Sequence, residues 1–305
     1  MTADGQAASF TAAAAFRALH LACEQRELNC SDATLLGPVG DNGVFRLPHE
    51  RIVARVAWGM PALATVEREL RVTAWLAEQD LPAVRPSAMV ADQPLLCDGR
   101  VITFWEEIPA PQQGRPADMG ALLRRLHALP VPPEGLLPRF DPFYRQDSHI
   151  RDATGLHEQD RRFLLDHLEE LRAAYDNLPF VHSLRAIHGD PHRKNLVRGA
   201  DGRTVMLDLE RFAVGPIEWD LVVVAVYHLV GWYDDTEYAA FVESYGWDIT
   251  QWDGFSTLAS VRQLRMTTWL AGRTGREPRL IPEVLNRIAT LRDPAAPRRP
   301  WTPGT

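Results

Sequence analysis

The first hundred residues combine two hydrophobic periods. Apolar residues recur at helical spacing from about Ala7 to Leu28 and again after Pro61, whereas Arg51 to Trp58 alternates with a period of two. Two short strands flank a glycine turn in LLGPVGDNGVFRL. Asp98-Gly99 in LLCDGRVITFW predicts a hairpin, because both turn positions need positive φ. The pattern predicts an antiparallel sheet of about five strands with one packed helix.

Beyond residues 105–111 the pattern becomes mainly helical. Short strands are predicted on either side of an Asp201-Gly202 turn, at Leu196-Val197 and Thr204 to Leu207. The fold class is therefore α+β, with a small β unit over 1–107, a larger helical unit over 108–292 and a disordered, proline-rich tail over 293–305. Helices are predicted at Met119–Leu129, His157–Asn177, Pro216–Val230, Glu237–Tyr245, Ser256–Ala271 and Pro282–Leu291.

Composition excludes several classes of protein. A formal net charge of -7 argues against a nucleic-acid partner, which needs a basic face. The longest apolar run, Leu221 to Val226, is too short to span a membrane. An odd number of cysteines and a beginning without a basic, apolar leader predict a cytoplasmic protein without disulfides.

Candidate chemistry is concentrated in AIHGDPHRKNLV, residues 186–197, and in the strand after it. Asp190 precedes Asn195 by five residues, and Asp208 lies beyond the predicted hairpin. Because a hairpin folds its strands side by side, we expect Asn195 and Asp208 to lie together. Their oxygens are ligands that suit Mg²⁺. Asp190 is suited to orienting an attacking hydroxyl in phosphoryl transfer.

HGDPHRKN followed by LDLE resembles the aminoglycoside phosphotransferase family, which includes choline kinase-like small-molecule kinases. The resemblance implies a protein-kinase-like fold of two lobes, with Asp190 as catalytic base and Asn195 and Asp208 as magnesium ligands. It places His192 where protein kinases have a lysine near the γ-phosphate. Asp220, in EWDL, matches an aspartate that supports the catalytic loop.

The resemblance extends to the β unit. DNGVFRL resembles a nucleotide-covering loop, here with Gly40 and Asn42, and IVARV resembles the strand that presents a basic residue to the phosphates. That residue is Arg55, and its implied ion-pair partner is Glu69. The backbone of a hinge around Glu106 would hold adenine. The implied cofactors are ATP and Mg²⁺, with GTP as an alternative donor.

The acceptor is expected to be a small molecule with a hydroxyl group. Residues 232–253 hold six acids and several aromatic side chains but no Lys or Arg, which suits a cationic or sugar-like ligand. An amphipathic helix with a solvated acidic face explains the same residues. We predict an aminoglycoside or another antibiotic-like acceptor, and a monomer or homodimer. The candidate substrate contacts are Glu210, Asp234, Asp235 and Glu237.

Three other interpretations stay open. A metabolic kinase acting on an amino alcohol, homoserine or a sugar would show the same motifs. A nucleotide-binding pseudokinase is favoured by Arg55 standing where lysine is common, but it has no need for an intact Asp190, Asn195 and Asp208. A transition-metal site at His188, Asp190 and His192 leaves Asn195 and LDLE unexplained.

Overall fold

The computed structural model describes residues 10–40, 42–293 and 299–304. The chain forms two compact units: residues up to Gln113 with Val197–Glu210, and Gly114–Leu196 with the residues from Arg211 onward. The first unit is thus larger than the range 1–107 expected from the sequence. The difference arises because Gln112 and Gln113 pair with Arg198 and Val197, which draws this later segment into the first unit.

The first unit is built on a five-stranded antiparallel sheet with the order β1-β2-β3-β5-β4. Asp98 (φ 49°) and Gly99 (φ 68°) both adopt positive φ between β4 and β5, so the predicted hairpin is present. The strands are β1 Thr34–Leu35, β2 Asn42–Leu47, β3 Ile52–Ala57, β4 Leu95–Cys97 and β5 Arg100–Glu106.

Two helices, α1 (Ala12–Gln25) and α2 (Leu63–Glu78), pack on this sheet. The core between α1 and the sheet includes Leu19 and Ala54, both fully buried. Ala57, three residues further along β3 and on the opposite face, packs with Val66 of α2. The sheet therefore packs against a helix on each face, whereas the sequence pattern predicted one packed helix.

Five shorter strands form two small sheets. The first joins β6, β8 and β9, and the second pairs β10 with β7, which precedes the AIHGDPHRKNLV loop. Three-residue strands are too short to show alternation, so β7 and β10 were not predicted. The strands are β6 Gln112–Gln113, β7 Arg185–Ile187, β8 Leu196–Arg198, β9 Thr204–Met206 and β10 Ala213–Gly215.

The second unit is mainly helical, as predicted. Helix α6 is buried from Ile217 through Tyr227 and is apolar on nearly every face, which identifies it as the central helix of this unit. No helix in the described ranges is both long and apolar enough to cross a membrane. The helices are α3 Pro116–His127, α4 Gln146–Asp152, α5 Glu158–Tyr175, α6 Ile217–Leu229, α7 Asp235–Tyr245, α8 Phe255–Ala271 and α9 Ile281–Arg292.

Part of the tail expected to be disordered is ordered. Trp301 is only 3% exposed, and its backbone N–H donates to Val230 O at 3.1 Å. The Arg287 guanidinium lies 4.7 Å from the centre of its ring. The many prolines of the tail predicted disorder, so the buried position of Trp301 was not expected. Residues 294–298 and 305, which complete the tail, lie outside the described residues.

Candidate active site

A buried ion pair joins β3 to α2 in the first unit. Arg55 Nη1 donates to Glu69 Oε1 at 3.1 Å, and Nη2 contacts Glu69 Oε2. Glu69 is fully enclosed, whereas the Arg55 side chain is 15% exposed. Arg55 faces α2 because it is an odd-numbered residue of β3, and the even-numbered residues face α1. The Arg55–Glu69 pair expected from the sequence is thus formed.

Two further acids of the first unit act on Arg55. Burial alone would lower the pKa of Arg55, but the carboxylates of Glu69, Asp208 and Glu210 outweigh it and raise that pKa. Arg68 Nη2 donates to the backbone oxygen of Glu210 at 3.2 Å. The unit therefore gathers Asp208 and Glu210 around a permanently charged guanidinium.

The remaining nucleotide candidates of the first unit lie at strand ends. Asn42 begins β2, and its carbonyl accepts from Gly40 N–H at 3.2 Å. A Cβ added to Gly40 would meet nothing within 4 Å, so packing does not require glycine there. Asp41, between them, lies outside the described residues. Glu106 is the exposed last residue of β5.

In the second unit, the loop after β7 is organised around a buried carboxylate. Asp220 accepts the backbone N–H of His188 at 2.7 Å and of Gly189 at 2.9 Å. His127 on α3 contacts the same carboxylate at 3.1 Å. Asp220 thus has the supporting role that the sequence suggested, and His127 is a partner that the sequence did not reveal.

Gly189 cannot be replaced without moving this loop. Its φ is +82°, and an added Cβ would lie 2.4 Å from Arg211 O. Its carbonyl accepts from the Trp219 indole at 2.8 Å. These contacts fix the backbone immediately before Asp190.

Asp190 forms an ion pair with Arg262 of α8. Arg262 Nη2 lies 2.6 Å from Asp190 Oδ1 and 2.9 Å from the Tyr227 hydroxyl. Burial alone would raise the pKa of Asp190, but Arg262, with smaller contributions from His192 and Arg265, holds it well below its usual range. Asp190 is therefore an anion throughout the physiological pH range.

His192 and Asn195 complete the loop. Lys194 N–H donates to His192 Nδ1 at 3.2 Å, and the Asn195 side-chain amide donates to Asp190 O at 3.1 Å. Burial, with Arg262, lowers the pKa of His192. Lys194 is exposed, as expected. The side-chain amide nitrogen of Asn195 is thus committed to the loop.

The acidic segment has structural partners of its own. Asp234 caps α7 by accepting Glu237 N–H at 2.8 Å, and Glu237 accepts Asp234 N–H at 3.1 Å. Glu237 also pairs with Arg193 at 2.9 Å. Asp235 is fully exposed. Two of the acids predicted as substrate contacts therefore form a capping box, which is a common way for a helix to begin.

The candidates divide between the two units. Asp190, His192 and Asn195 share the loop of the second unit, and Arg55, Glu69, Asp208 and Glu210 belong to the first. Within the described residues, no group of three or more His, Cys, Asp or Glu side chains is placed to hold a metal ion. The His188, Asp190 and His192 transition-metal interpretation is not supported.

Besides His127, Arg262 and Tyr227 are site residues that were not identified from the sequence. Arg262 lies 72 residues after Asp190, in a helix whose pattern indicates a buried core element. A charged residue within such a helix is the one signal that pointed to it, because a buried arginine needs an acidic partner.

Comparison with known proteins agrees with this architecture. An amicoumacin kinase, solved with AMP-PNP and Ca²⁺, is 13% identical with a TM-score of 0.70, covering 93% of this chain and 95% of its own. A choline/ethanolamine kinase family protein from Mesorhizobium loti is 18% identical with a TM-score of 0.58, covering 89% and 94%. An aminoglycoside phosphotransferase from Streptomyces rimosus is 21% identical with a TM-score of 0.59, covering 84% and 99%.

These likenesses show a protein-kinase-like fold. No curated protein matches the chain. Residues 40–255 match the family described as the phosphotransferase enzyme family. The matched range covers most of the chain and includes residues of both units. The chain belongs to this family and is a phosphotransferase that acts on hydroxyl groups.

Proposed function

We propose that this enzyme transfers the γ-phosphate of ATP, in the presence of Mg²⁺, to a hydroxyl group of an aminoglycoside or another antibiotic-like small molecule. The observation that carries the proposal is the Asp190 carboxylate. It is ionised and held on one oxygen by Arg262, yet its side chain is 31% exposed. An ionised and partly exposed carboxylate can accept a hydrogen bond from the hydroxyl group of the substrate that receives the phosphate.

The first unit supplies the donor side of the proposed reaction. Arg55, oriented by Glu69, would contact the phosphates, and the β2 entry at Gly40 and Asn42 would cover them. The backbone near Glu106 would hold the base, and His192 would contact the γ-phosphate. The burial of Glu69 supports a phosphate contact by Arg55, because a buried Glu69 can orient the Arg55 guanidinium but is not itself exposed to a ligand.

The donor atoms fit magnesium. An amide oxygen from Asn195 and a carboxylate from Asp208 are hard oxygen ligands. When bound, Mg²⁺ would neutralise charge on the transferring phosphoryl group. Arg55 contributes further positive charge to the donor phosphates, and it keeps that charge because the pKa of Arg55 is raised.

Asp190 would align the acceptor. The acceptor oxygen attacks the γ-phosphorus, the bond to the β-phosphate oxygen breaks, and ADP leaves. The hydroxyl proton passes to Asp190 Oδ2. Because the transition state is loose, alignment of the attacking oxygen contributes more than proton affinity does. A carboxylate of low pKa is suited to such a role.

Antibiotic-like acceptors are proposed from the fold likeness. The fold is shared with an amicoumacin kinase and with a spectinomycin phosphotransferase, 13% identical with a TM-score of 0.60. The acidic segment adds little support for a polycationic acceptor, because Asp234 and Glu237 bind each other's backbone and Glu237 also binds Arg193.

The test is ADP release from Mg²⁺-ATP across a panel of hydroxyl compounds, with Asp190→Ala protein as the blank. The panel holds aminoglycosides, amicoumacin-type, macrolide and nucleoside antibiotics, choline, homoserine and simple sugars. We expect ADP release that depends on an antibiotic and is lost in the variant. If only choline, homoserine or a sugar supported turnover, the acceptor would be a metabolite and not an antibiotic. Absence of ATP binding would reject the donor assignment.

A further inference from the structure

Arg262 holds Asp190 in a single orientation. Its Nη2 group carries two N–H bonds, and the structure uses one for Asp190 Oδ1 at 2.6 Å and the other for the Tyr227 hydroxyl at 2.9 Å. Among the described residues, Nε of Arg262 is buried and has no hydrogen-bond partner. The guanidinium is therefore anchored through the nitrogen that contacts Asp190, and Tyr227 of α6 fixes where that nitrogen lies.

The contact occupies one side of the carboxylate. Oδ2 of Asp190 lies 3.9 Å from His192 Nε2, which is beyond hydrogen-bond distance. The Asp190 side chain is 31% exposed, whereas that of Arg262 is 6% exposed. The more accessible member of the pair is thus the carboxylate, and Arg262 contacts it at Oδ1.

We propose that Arg262 is a positioning residue for phosphoryl transfer: it fixes the Asp190 carboxylate so that Oδ2 receives the acceptor hydroxyl. The inference rests on the proposed role of Asp190. Arginine suits this task because its planar guanidinium binds two acceptors at a fixed angle, which a lysine ammonium does not. Arg262 acts through Asp190 and Tyr227 and need not touch the acceptor.

A purely structural ion pair would look similar, but it predicts different kinetics. If Arg262 only stabilised the fold, its loss would lower the melting temperature and would reduce activity in any background. If Arg262 acts through Asp190, its loss has no further effect once the carboxylate is removed. Positioning also lowers kcat while leaving the KM for Mg²⁺-ATP unchanged, because the donor is held by other residues.

The experiment measures kcat and KM at saturating acceptor for wild type, Arg262→Gln, Asp190→Ala and the double variant. The acceptor is the most active compound of the panel. We expect Arg262→Gln to lower kcat on the order of 30-fold, the size expected for loss of one charged hydrogen bond, with the KM for Mg²⁺-ATP within about twofold. The double variant should match Asp190→Ala.

Three further variants complete the design. Arg262→Lys should recover part of the lost kcat, and Tyr227→Phe should lower kcat less than Arg262→Gln does, because it loosens the guanidinium without removing it. Arg273→Gln is the matched control. It breaks a pair with Glu277 beyond the C-terminal end of α8, and it should leave kcat unchanged. Far-UV circular dichroism confirms that each variant is folded.

Each outcome decides the proposal. Wild-type kcat in Arg262→Gln beside an inactive Asp190→Ala overturns it and leaves the proposed function in place. So does an equal loss from Arg262→Gln in both backgrounds. Full activity of Asp190→Ala removes the proposed role of Asp190 and this inference with it. If Arg262→Gln does not fold, wild-type kcat in both Arg262→Lys and Tyr227→Phe overturns the proposal.

Discussion

Two of the arginine–carboxylate pairs in the described part of the chain are of opposite design. In the first unit the acid, Glu69, is 1% exposed and the base, Arg55, is 15% exposed. In the second unit the base, Arg262, is 6% exposed and the acid, Asp190, is 31% exposed. Both pairs join a guanidinium to a carboxylate. The carboxylate is the more buried member of the first pair, and the guanidinium is the more buried member of the second.

We propose that the more exposed member of each pair is the one that acts on a ligand. A buried charge must be paired because desolvation is costly, so the enclosed member is constrained to hold its partner. The more exposed member keeps part of its surface for something else. The comparison assigns a cationic contact to Arg55 and an anionic contact to Asp190. These are the two charges that a phosphate donor and a hydroxyl acceptor require.

The largest effect is expected at the exposed acid. Asp190→Ala should lower kcat by about 10³-fold, since loss of a positioned base typically removes 10²–10⁴-fold. Binding of Mg²⁺-ATP, measured by isothermal titration calorimetry, should stay within about twofold of wild type. If the variant lost both ATP binding and turnover, Asp190 would support the donor site. That result would contradict the proposed difference between the two arginine–carboxylate pairs.

The enclosed acid should act on the donor instead. Glu69→Gln keeps the shape of the side chain but removes the charge that offsets buried Arg55, so we expect a loss of stability of about 2 kcal/mol. It should also raise the KM for Mg²⁺-ATP by about tenfold, because Arg55 loses its fixed orientation. Urea unfolding and steady-state kinetics check the two effects. An unchanged KM would leave Arg55 as a structural residue.

Asp220→Asn tests the support of the Asp190 loop. The two backbone N–H groups bind different oxygens of Asp220, and the substitution replaces one of these oxygens with an NH2 donor, so either His188 or Gly189 loses its partner. A buried unsatisfied donor costs about 1–3 kcal/mol. We expect a lower midpoint of urea unfolding and a several-fold lower kcat. Asp253→Asn, which removes an exposed acid, is the control and should change neither.

The smallest effect is expected in the acidic segment. Glu237→Gln weakens the α7 cap and the pair with Arg193, which should cost about 1 kcal/mol. The KM for the acceptor should not change, because these groups already bind partners within the protein. A large rise in that KM would restore Glu237 as a substrate contact and would sharpen the case for a cationic acceptor.

Local signals in the sequence predicted much of the fold. Asp98-Gly99 specified its hairpin through the φ angles that the turn requires, and β3 was evident from its alternation with a period of two. Six of the seven helices of the second unit were predicted from their period. Helix α4, with seven residues, is too short to show one. The Trp301 anchor was hidden because its contacts are made to residues distant in the sequence.

The candidate site was predictable where its residues are consecutive or have local periodicity. Asp190, His192 and Asn195 lie in one loop, and the Arg55–Glu69 pair that the family resemblance implied is present. The partners of Arg262 and His127 could not be predicted, because they lie 72 and 93 residues away. For the acidic segment the sequence left a ligand site and a structural helix as alternatives, and the structure adds a capping box at the start of α7. A capping box and a ligand site use the same residue types.

The most direct test of the comparison is the affinity for Mg²⁺-ATP, measured by titration calorimetry on wild type, Glu69→Gln and Asp190→Ala side by side. We predict that Glu69→Gln weakens binding about tenfold and that Asp190→Ala leaves it unchanged. The reverse pattern, with tight binding in Glu69→Gln and weak binding in Asp190→Ala, would contradict the assignment of the donor to Arg55 and of the acceptor to Asp190.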